Sequence, residues 1–324
     1  MMKKTISQCM IVKNEEKNIR RALSWGKDIM CEQIVVDTGS SDRTVEIARE
    51  MGAKIFFFPW INDFAAAKNF AIDQAKGDWI AFLDADESFT PEDAAKIPEI
   101  LEYVGEDVDG LLTGIADLDE NNNITGGGTM LRFFVNRPEL RYVGKIHEHL
   151  VRKGESGLYL TDATEQLAFL HTGYQEQEKK DKSKFERNLN IILEILKQDP
   201  ENCDYLGYLG DTYSSDGKNE EARDAYKKAV AAMPEKLGVY DQRSSYTYTN
   251  LLRVSQCLNA PEAEVEAIYK EAVEKLPKEP DFDCVMGDWY WRKGQYEKAV
   301  QMYELAIAKL ETYGTVNRGI ITTS

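Results

Sequence analysis

The chain has no long apolar run and little positive charge, and both absences restrict what the protein can be. No stretch approaches the roughly 20 apolar residues of a membrane-spanning helix, and we expect no signal peptide after the two N-terminal lysines. Acidic side chains outnumber basic ones by 56 to 40, which gives a formal net charge of −16. Because nucleic acids and anionic membranes bind clustered Lys and Arg, we expect neither as a partner.

Cysteine and histidine are also scarce. The five cysteines include no close CxxC pair, so their spacing fits neither a zinc site nor a disulfide framework. We therefore expect a protein of the reducing cytoplasm. The three histidines are His147, His149 and His171, and they leave few imidazoles for a metal site.

The chain of 324 residues is long enough for two domains, at roughly 100–200 residues each. In its first half, strand-like runs alternate with helix-like segments, which predicts an α/β domain with a mostly parallel sheet covered by helices. The expected strands are residues 6–12, 33–37, 54–58 and 79–83; the expected helices are residues 15–25, 44–51 (with Ser41 or Asp42 as N-cap) and 64–75. Ligands of such sheets lie beyond the carboxyl ends of the strands, where Asp37 and Asp84 fall.

The second half reads as helix only and contains an internal repeat. Two good units and one degenerate unit have the tetratricopeptide spacing of small, aromatic and proline residues. The positions are Leu209, Gly210, Tyr213, Ala222, Tyr226, Ala229 and Pro234, then Tyr269, Ala272 and Pro277, then Met286, Gly287, Tyr290, Ala299, Tyr303 and Ala306. We predict an α/β domain over residues 1–175 and an all-α repeat domain over residues 176–324.

The sharpest chemical motif is Asp84-Ala85-Asp86, directly after the apolar run Trp79–Leu83. Two carboxylates one residue apart can reach one hard cation, and that cation can neutralise a departing diphosphate. A DxD tripeptide alone is common by chance. Its place after a buried strand favours the functional interpretation.

Three runs together resemble the family 2 glycosyltransferases. They are Met10–Glu16, Ile34–Asp42 and Phe82–Glu87, and they occur in the order of that family's motifs. The most similar group joins a compact catalytic domain to tetratricopeptide repeats and includes the SunS-type peptide glycosyltransferases. The resemblance implies a GT-A fold, a nucleotide-diphosphate sugar donor, inversion at the anomeric carbon, and Mn²⁺ or Mg²⁺ as cofactor.

The resemblance also implies roles for individual residues. Asp86 would bind the metal, and a late histidine often completes such a site, which favours His171 with His147 as the competitor. Glu148 would be the general base that deprotonates the acceptor, although His147 stands where the family usually has a first acid. The donor would be bound by residues at strand ends and by one lysine: Val12, Asn14, Glu15, Asp37, Lys68, Asp84 and Ala85.

A glycine-rich stretch, residues 126–128, precedes Arg132 and Arg137. Similar enzymes have an Arg-Phe-Phe-type run on the acceptor side, whereas the spacing is not that of a Walker loop. An ordinary hairpin with its turn at residues 121–123 explains the same pattern equally well.

The leading hypothesis is an inverting, metal-dependent glycosyltransferase with a UDP-sugar donor and a peptide, protein or glycan acceptor. The alternative is a repeat-based scaffold protein whose GT-A domain is not catalytic. A nucleotidyltransferase is a poorer fit, because Lys13–Glu16 does not form the basic, glycine-rich loop that such chemistry needs. The repeats suggest either a peptide acceptor or a homodimer, and the sequence does not separate the two.

Overall fold

The computed structural model describes residues 4–155, 157–172, 182–239 and 241–311. They form two compact units, residues 4–172 and residues 182–311. The predicted domain boundary at residues 175 and 176 lies outside the described residues. Within the described residues, no helix is both long enough and apolar enough to cross a membrane.

The first unit combines a large sheet with four helices. Its helices are α1 (Ile19–Ser24), α2 (Thr44–Glu50), α3 (Phe64–Asp73) and α4 (Pro91–Tyr103). Its strands are β1 (Ile6–Val12), β2 (Glu32–Asp37), β3 (Lys54–Phe57), β4 (Trp79–Phe82), β5 (Glu87–Phe89), β6 (Gly110–Leu118), β7 (Ile124–Val135), β8 (Leu140–Val143), β9 (His149–Arg152), β10 (Leu160–Asp162) and β11 (Ala168–His171).

Nine of the strands form one sheet in the order β3-β2-β1-β4-β7-β6-β11-β5, with β10 beside β6, while β8 and β9 pair separately. The first four strands are parallel, so the carboxyl ends of β1, β2 and β4 lie at the same edge. β7 runs antiparallel between β4 and β6, and β11 is parallel to β6. The predicted α/β class is thereby confirmed.

Both faces of this sheet are covered by apolar side chains. Ala81 of β4 packs in a cluster with Ile97 and Leu101 of α4. Its neighbours Ile80 and Phe82 belong to another cluster, which includes Ala71 of α3. Because successive strand residues point to opposite faces, β4 is buried on both sides. This burial explains its nearly continuous apolar sequence.

The first helix differs from the prediction. It begins at Ile19 rather than near Glu15, because the intervening residues form a loop in which Asn14 has a φ of 58°. The predicted N-cap of α2 was also wrong: Arg43 occupies that position. Asp42 instead accepts the backbone N–H of Glu16 and that of Thr44, so it joins two loops.

The second unit is entirely helical in its described residues, as the repeat pattern predicts. Its helices are α5 (Lys182–Gln198), α6 (Cys203–Ser215), α7 (Asn219–Ala232), α8 (Gln242–Cys257), α9 (Glu262–Lys275), α10 (Asp281–Arg292) and α11 (Tyr296–Leu310).

The repeat glycines let paired helices approach each other. A Cβ atom at Gly210 would lie 2.4 Å from the ring of Tyr226, and one at Gly287 would lie 2.6 Å from the ring of Tyr303. Real Cβ atoms do not come this close to a ring. The small residue and the aromatic residue of the pattern therefore belong to one packing unit, α6 against α7 and α10 against α11.

Candidate functional site

Two loops at the carboxyl ends of β1 and β2 hold each other in place. The backbone N–H of Asn14 donates to Ser40 Oγ at 2.9 Å, and the N–H of Ser41 donates to Asn14 Oδ1 at 2.8 Å. The N–H of Glu15 donates to Thr44 Oγ1 at 2.7 Å. The site therefore begins with a fixed double loop, although its residues are polar and lie near the surface.

Asp37 ends β2 as predicted, and its carboxylate is already engaged. It accepts the backbone N–H of Gly39 at 3.1 Å and that of Ser40 at 3.1 Å. These bonds shape the loop, and a carboxylate oxygen can accept further bonds from a ligand. Val12 lies beside it at the end of β1, and its carbonyl accepts both the N–H and the hydroxyl of Thr38.

Asp84 follows β4 and lies against a buried arginine of β7. Arg132 Nη2 is 3.3 Å from Asp84 Oδ2, and the same guanidinium pairs with Glu87. Desolvation alone would raise the pKa of Asp84, but Lys68 and Arg132 together hold this pKa below its ordinary value. Asp84 is thus a carboxylate, 43% exposed, beside the buried cations Lys68 and Arg132.

Lys68 connects this cluster to the predicted base. Its Nζ lies 2.7 Å from Glu148 Oε1, and the two side chains are 6% and 14% exposed. The ammonium also lies over the rings of Phe82 and Tyr142, at 5.1 and 4.9 Å from their centroids. Burial alone would lower the pKa of Lys68, but the charge of Asp84 raises it above its ordinary value.

Asp86 and His171 are in direct contact in the site. His171 Nε2 lies 3.4 Å from Asp86 Oδ2, and His171 Nδ1 lies 2.8 Å from Asp117 Oδ1. The hydrogen bond to Asp86 and the one to Asp117 raise the pKa of His171 to about 9. It is therefore His171 that contacts Asp86, whereas His147 is exposed and has a φ of 55°.

The backbone around Asp86 is fixed as firmly as its side chain. Its carbonyl accepts the N–H and the hydroxyl of Thr172, each at 3.1 Å, and Arg21 donates to the same carbonyl. Ala85 is 4% exposed. The DxD segment is therefore anchored to Thr172, directly after β11, and to α1, while its two carboxylate side chains are 43% and 31% exposed.

The arrangement fits a divalent cation that is shared with a phosphate ligand. Asp86 Oδ2 and His171 Nε2 are close enough to bind one ion, and Asp117 would orient the imidazole as carboxylates commonly do for a metal-binding histidine. Among the described residues, no group of three or more His, Cys, Asp or Glu side chains surrounds such an ion. An ion held by two protein ligands takes its remaining ligands from phosphate and water.

Three side chains of this cluster carry roles that the sequence did not indicate. Asp117 lies in no recognisable motif, and Glu87 ends the run Phe82–Glu87 but received no role of its own. Arg132 was noted only as part of a run that similar enzymes have on the acceptor side, with an ordinary hairpin as the alternative, and it contacts Asp84 and Glu87.

Residues 7–151 match the family model for glycosyl transferase family 2. Residues 205–235 and 285–314 each match a tetratricopeptide repeat model. The expected fold class, a GT-A domain followed by tetratricopeptide-type helices, is confirmed.

Two relatives are similar to this chain over most of its length. The SPbeta prophage-derived glycosyltransferase SunS of Bacillus subtilis is 32% identical over 231 residues, which cover 70% of this chain and 53% of that protein. A TPR repeat-containing protein of Synechococcus elongatus is 29% identical over 316 residues, 94% of this chain and 75% of that one. The chain thus spans about half the length of SunS, 53%.

Solved structures resemble the chain more distantly. Staphylococcus aureus TarS is 14% identical, covers 82% of this chain and 54% of its own, and gives a TM-score of 0.44. Glucosyl-3-phosphoglycerate synthase from Mycobacterium tuberculosis, solved with Mn²⁺ and UDP, is 22% identical over 36% of this chain and 44% of its own, with a TM-score of 0.28. These scores are too low for either structure to bear on the ligands of this chain.

Proposed function

We propose that this chain, which carries a family 2 glycosyltransferase domain followed by tetratricopeptide repeats, is an inverting, metal-dependent glycosyltransferase. In this proposal it moves a sugar from a UDP-sugar donor to a side chain of a peptide or protein. The observation that supports it is the assembly of Asp84, Asp86, His171 and the Lys68–Glu148 pair at the carboxyl edge of one sheet.

The donor nucleotide would lie along the double loop at the ends of β1 and β2. Asn14, Glu15 and Asp37 offer amide and carboxylate groups there, which suit the N–H of a base and the hydroxyls of a ribose. Their existing hydrogen bonds fix the loops before the donor arrives. Preorganisation of this kind lowers the entropic cost of binding.

The diphosphate of the donor would lie against Asp86 and His171. A divalent cation bound by these residues, Mn²⁺ or Mg²⁺, would neutralise the charge that develops on the leaving diphosphate. Asp117 would keep the imidazole turned toward Asp86. Arg132 would hold Asp84 in place beside them.

Glu148 would act as the base. The acceptor's nucleophilic atom attacks the anomeric carbon on the face opposite the diphosphate, its proton passes to Glu148, and the bond from the anomeric carbon to the phosphate oxygen breaks with its electron pair on that oxygen. One displacement inverts the anomeric configuration. Lys68 holds the Glu148 carboxylate in position through their ion pair.

A reducing compartment suits this proposal. All five cysteines are free thiols. Free thiols persist in the cytoplasm and pair in oxidising compartments. We therefore place the reaction in the cytoplasm.

Donor hydrolysis, followed by NMR of the released sugar, tests the proposal. The protein is incubated with Mn²⁺ and each of UDP-glucose, UDP-N-acetylglucosamine and GDP-mannose, and early anomer signals are recorded. We expect UDP release that stops when EDTA removes the metal, and a β-anomer as first product from an α-linked donor. An α-anomer would contradict inversion, and intact donors under every metal condition would contradict the whole proposal.

A further inference from the structure

Two thirds of β7 has an open edge. The strand pairs with β6 along nearly its whole length, from Ile124 to Phe134. On its other side it pairs with β4 only through Phe133–Val135. Within the described part of the chain, residues 124–131 therefore have no strand partner on that side.

The direction of the backbone groups along this edge follows from the register. Gly114 is opposite Thr129, and its N–H donates away from β7, to the carbonyl of Leu167. In an antiparallel pair, two opposite residues both direct their backbone groups either toward each other or away from each other. Thr129 therefore directs its N–H and C=O to the open edge.

Two neighbours of Thr129 on the strand do the same. The carbonyl of Leu112, opposite Leu131, accepts the N–H of Ala163 on the side of β6 away from β7. Because the orientation alternates along a strand, Gly127 shares the direction of Thr129 and Leu131. The edge thus presents three donor and acceptor pairs about 7 Å apart, the spacing of alternate residues in an extended chain.

This edge has few of the devices that usually protect one. Its register with β6 shifts, as at a bulge, near Thr125 and Arg132 at its two ends, while residues 126–131 pair regularly. Natural sheets shield their edges with lysine, proline, bulges or a covering segment. Residues 124–131 contain no charged residue and no proline, and residues 121–130 are all exposed. An exposed edge with so little protection is a template for strand addition.

The open edge lies next to the candidate site. It lies on the side of β7 where β4 pairs, and it starts where β4 ends at Phe82. A strand added there would continue the row of β4 and would end against Asp84, which Arg132 of β7 already contacts. On the opposite side of the same segment, Gly126 lies next to Asp117, the partner of His171.

We propose that an extended peptide segment of the acceptor binds by adding a strand to the open edge of β7, at Gly127, Thr129 and Leu131. The identification of this peptide as the acceptor rests on the proposed glycosyltransferase function. A row of backbone donors and acceptors at strand spacing complements a polypeptide backbone, and a glycan has no such repeat. The absence of side chains at residues 126–128 leaves room for the peptide's own side chains beside the site.

Strand addition is tested on the full chain with a defined probe and matched variants. The probe is a short fluorescein-labelled peptide of alternating threonine and valine, with a central serine and cysteine and a lysine at each end. A second probe carries N-methyl groups on alternate backbone amides, which removes donors and keeps every side chain. Fluorescence anisotropy gives the affinity, and hydrogen exchange of residues 124–131 gives the location.

Two substitutions of Thr129 separate the contribution of its backbone N–H to peptide binding from that of its side chain. Thr129→Pro removes an outward N–H and leaves the β6 ladder intact, whereas Thr129→Val keeps that N–H. We expect Thr129→Pro to weaken peptide binding about tenfold, the cost of one or two hydrogen bonds, and Thr129→Val to bind like the parent. Bound peptide should slow exchange of the Thr129 amide.

The outcomes that overturn the proposal are equally specific. Equal binding of the N-methylated probe would show that the backbone N–H groups of the peptide do not contribute to binding. This result does not depend on how any variant folds. No anisotropy change up to about 1 mM peptide would also overturn it. So would slowed hydrogen exchange that is confined to residues outside the edge. So would slowed exchange of the edge that arises from dimerisation of the chain in the absence of peptide.

This test is independent of the donor site. It is run without nucleotide, and UDP binding is measured separately. UDP binding without peptide binding would defeat strand addition alone. Peptide binding at β7 without any nucleotide binding would defeat the proposed glycosyltransferase and leave the peptide site standing.

Discussion

The α/β unit and the helical unit both bury charged side chains, but they use them differently. In the helical unit, buried Arg243 of α8 donates to Asp211 of α6 at 2.7 Å, and Tyr226 of α7 and Asn250 of α8 donate to the same carboxylate at 2.8 and 3.0 Å. These bonds join neighbouring helices. In the α/β unit, by contrast, buried Lys68 and Arg132 form ion pairs with carboxylates at the carboxyl ends of the sheet strands.

The difference concerns which carboxylate oxygens a ligand can still reach. Asp283 of α10 is fully buried, and its oxygens contact the hydroxyl of Tyr269 and the ammonium of Lys309 at 2.6 and 2.5 Å. Asp86 has a side chain that is 31% exposed. A buried cluster closed on itself stabilises the fold, whereas a cluster with an exposed rim can act on a ligand.

Among the substitutions that test this contrast, Glu148→Gln should have the largest effect, a loss of donor turnover. The amide cannot take the acceptor proton, so donor turnover should fall about 1,000-fold while UDP affinity stays unchanged. UDP release in the presence of Mn²⁺ measures turnover. Glu139→Gln, at an exposed position of the same unit, is the matched control. Wild-type turnover in Glu148→Gln would remove the base from the proposal.

Asp283→Ala should affect stability rather than binding. It leaves the ammonium of Lys309, a side chain that is 17% exposed, and a tyrosine hydroxyl without their partner, which should lower the free energy of unfolding by about 3 kcal/mol. Urea denaturation measures the loss, and UDP affinity should not change. Exposed Glu304 offers the control substitution Glu304→Ala. A change in UDP affinity at unchanged stability would show that the two clusters do not differ as we argue.

Asp117→Asn should have the smallest of these effects. The amide still reaches His171 but no longer carries the charge that supports a metal-bound imidazole, so Mn²⁺ affinity should fall about tenfold. Electron paramagnetic resonance of free Mn²⁺ in the presence of UDP measures this affinity. Asp107→Asn, at an exposed position, is the control. Unchanged affinity would mean that Asp117 has only a structural role.

The sequence predicted the parts of the site that follow from single strands. The apolar run before Asp84 located the end of β4, and the strand-like run of residues 33–37 located Asp37 at the end of β2. The helix near Glu15 was placed too early, because the loop that replaces its first turn is held by partners some 27 residues away, as in the bond from Ser41 to Asn14. Local propensity does not contain such partners.

The pairing of distant strands was beyond the sequence for the same reason. Asp117 reaches His171 because β11 adds parallel to β6. Arg132 reaches Asp84 because β7 enters antiparallel beside β4. No periodicity within a strand specifies its neighbour in the sheet. The predicted roles of Glu148 as base and of Asp86 and His171 as metal ligands remain predictions.

Calorimetric titration of UDP tests the central claim most directly. It is performed with and without Mn²⁺, on the parent chain and on Asp86→Ala. We predict micromolar binding that requires the metal and is lost in Asp86→Ala, while the unfolding midpoint of the variant stays near that of the parent. Binding that is equally strong without metal and in Asp86→Ala would contradict the account.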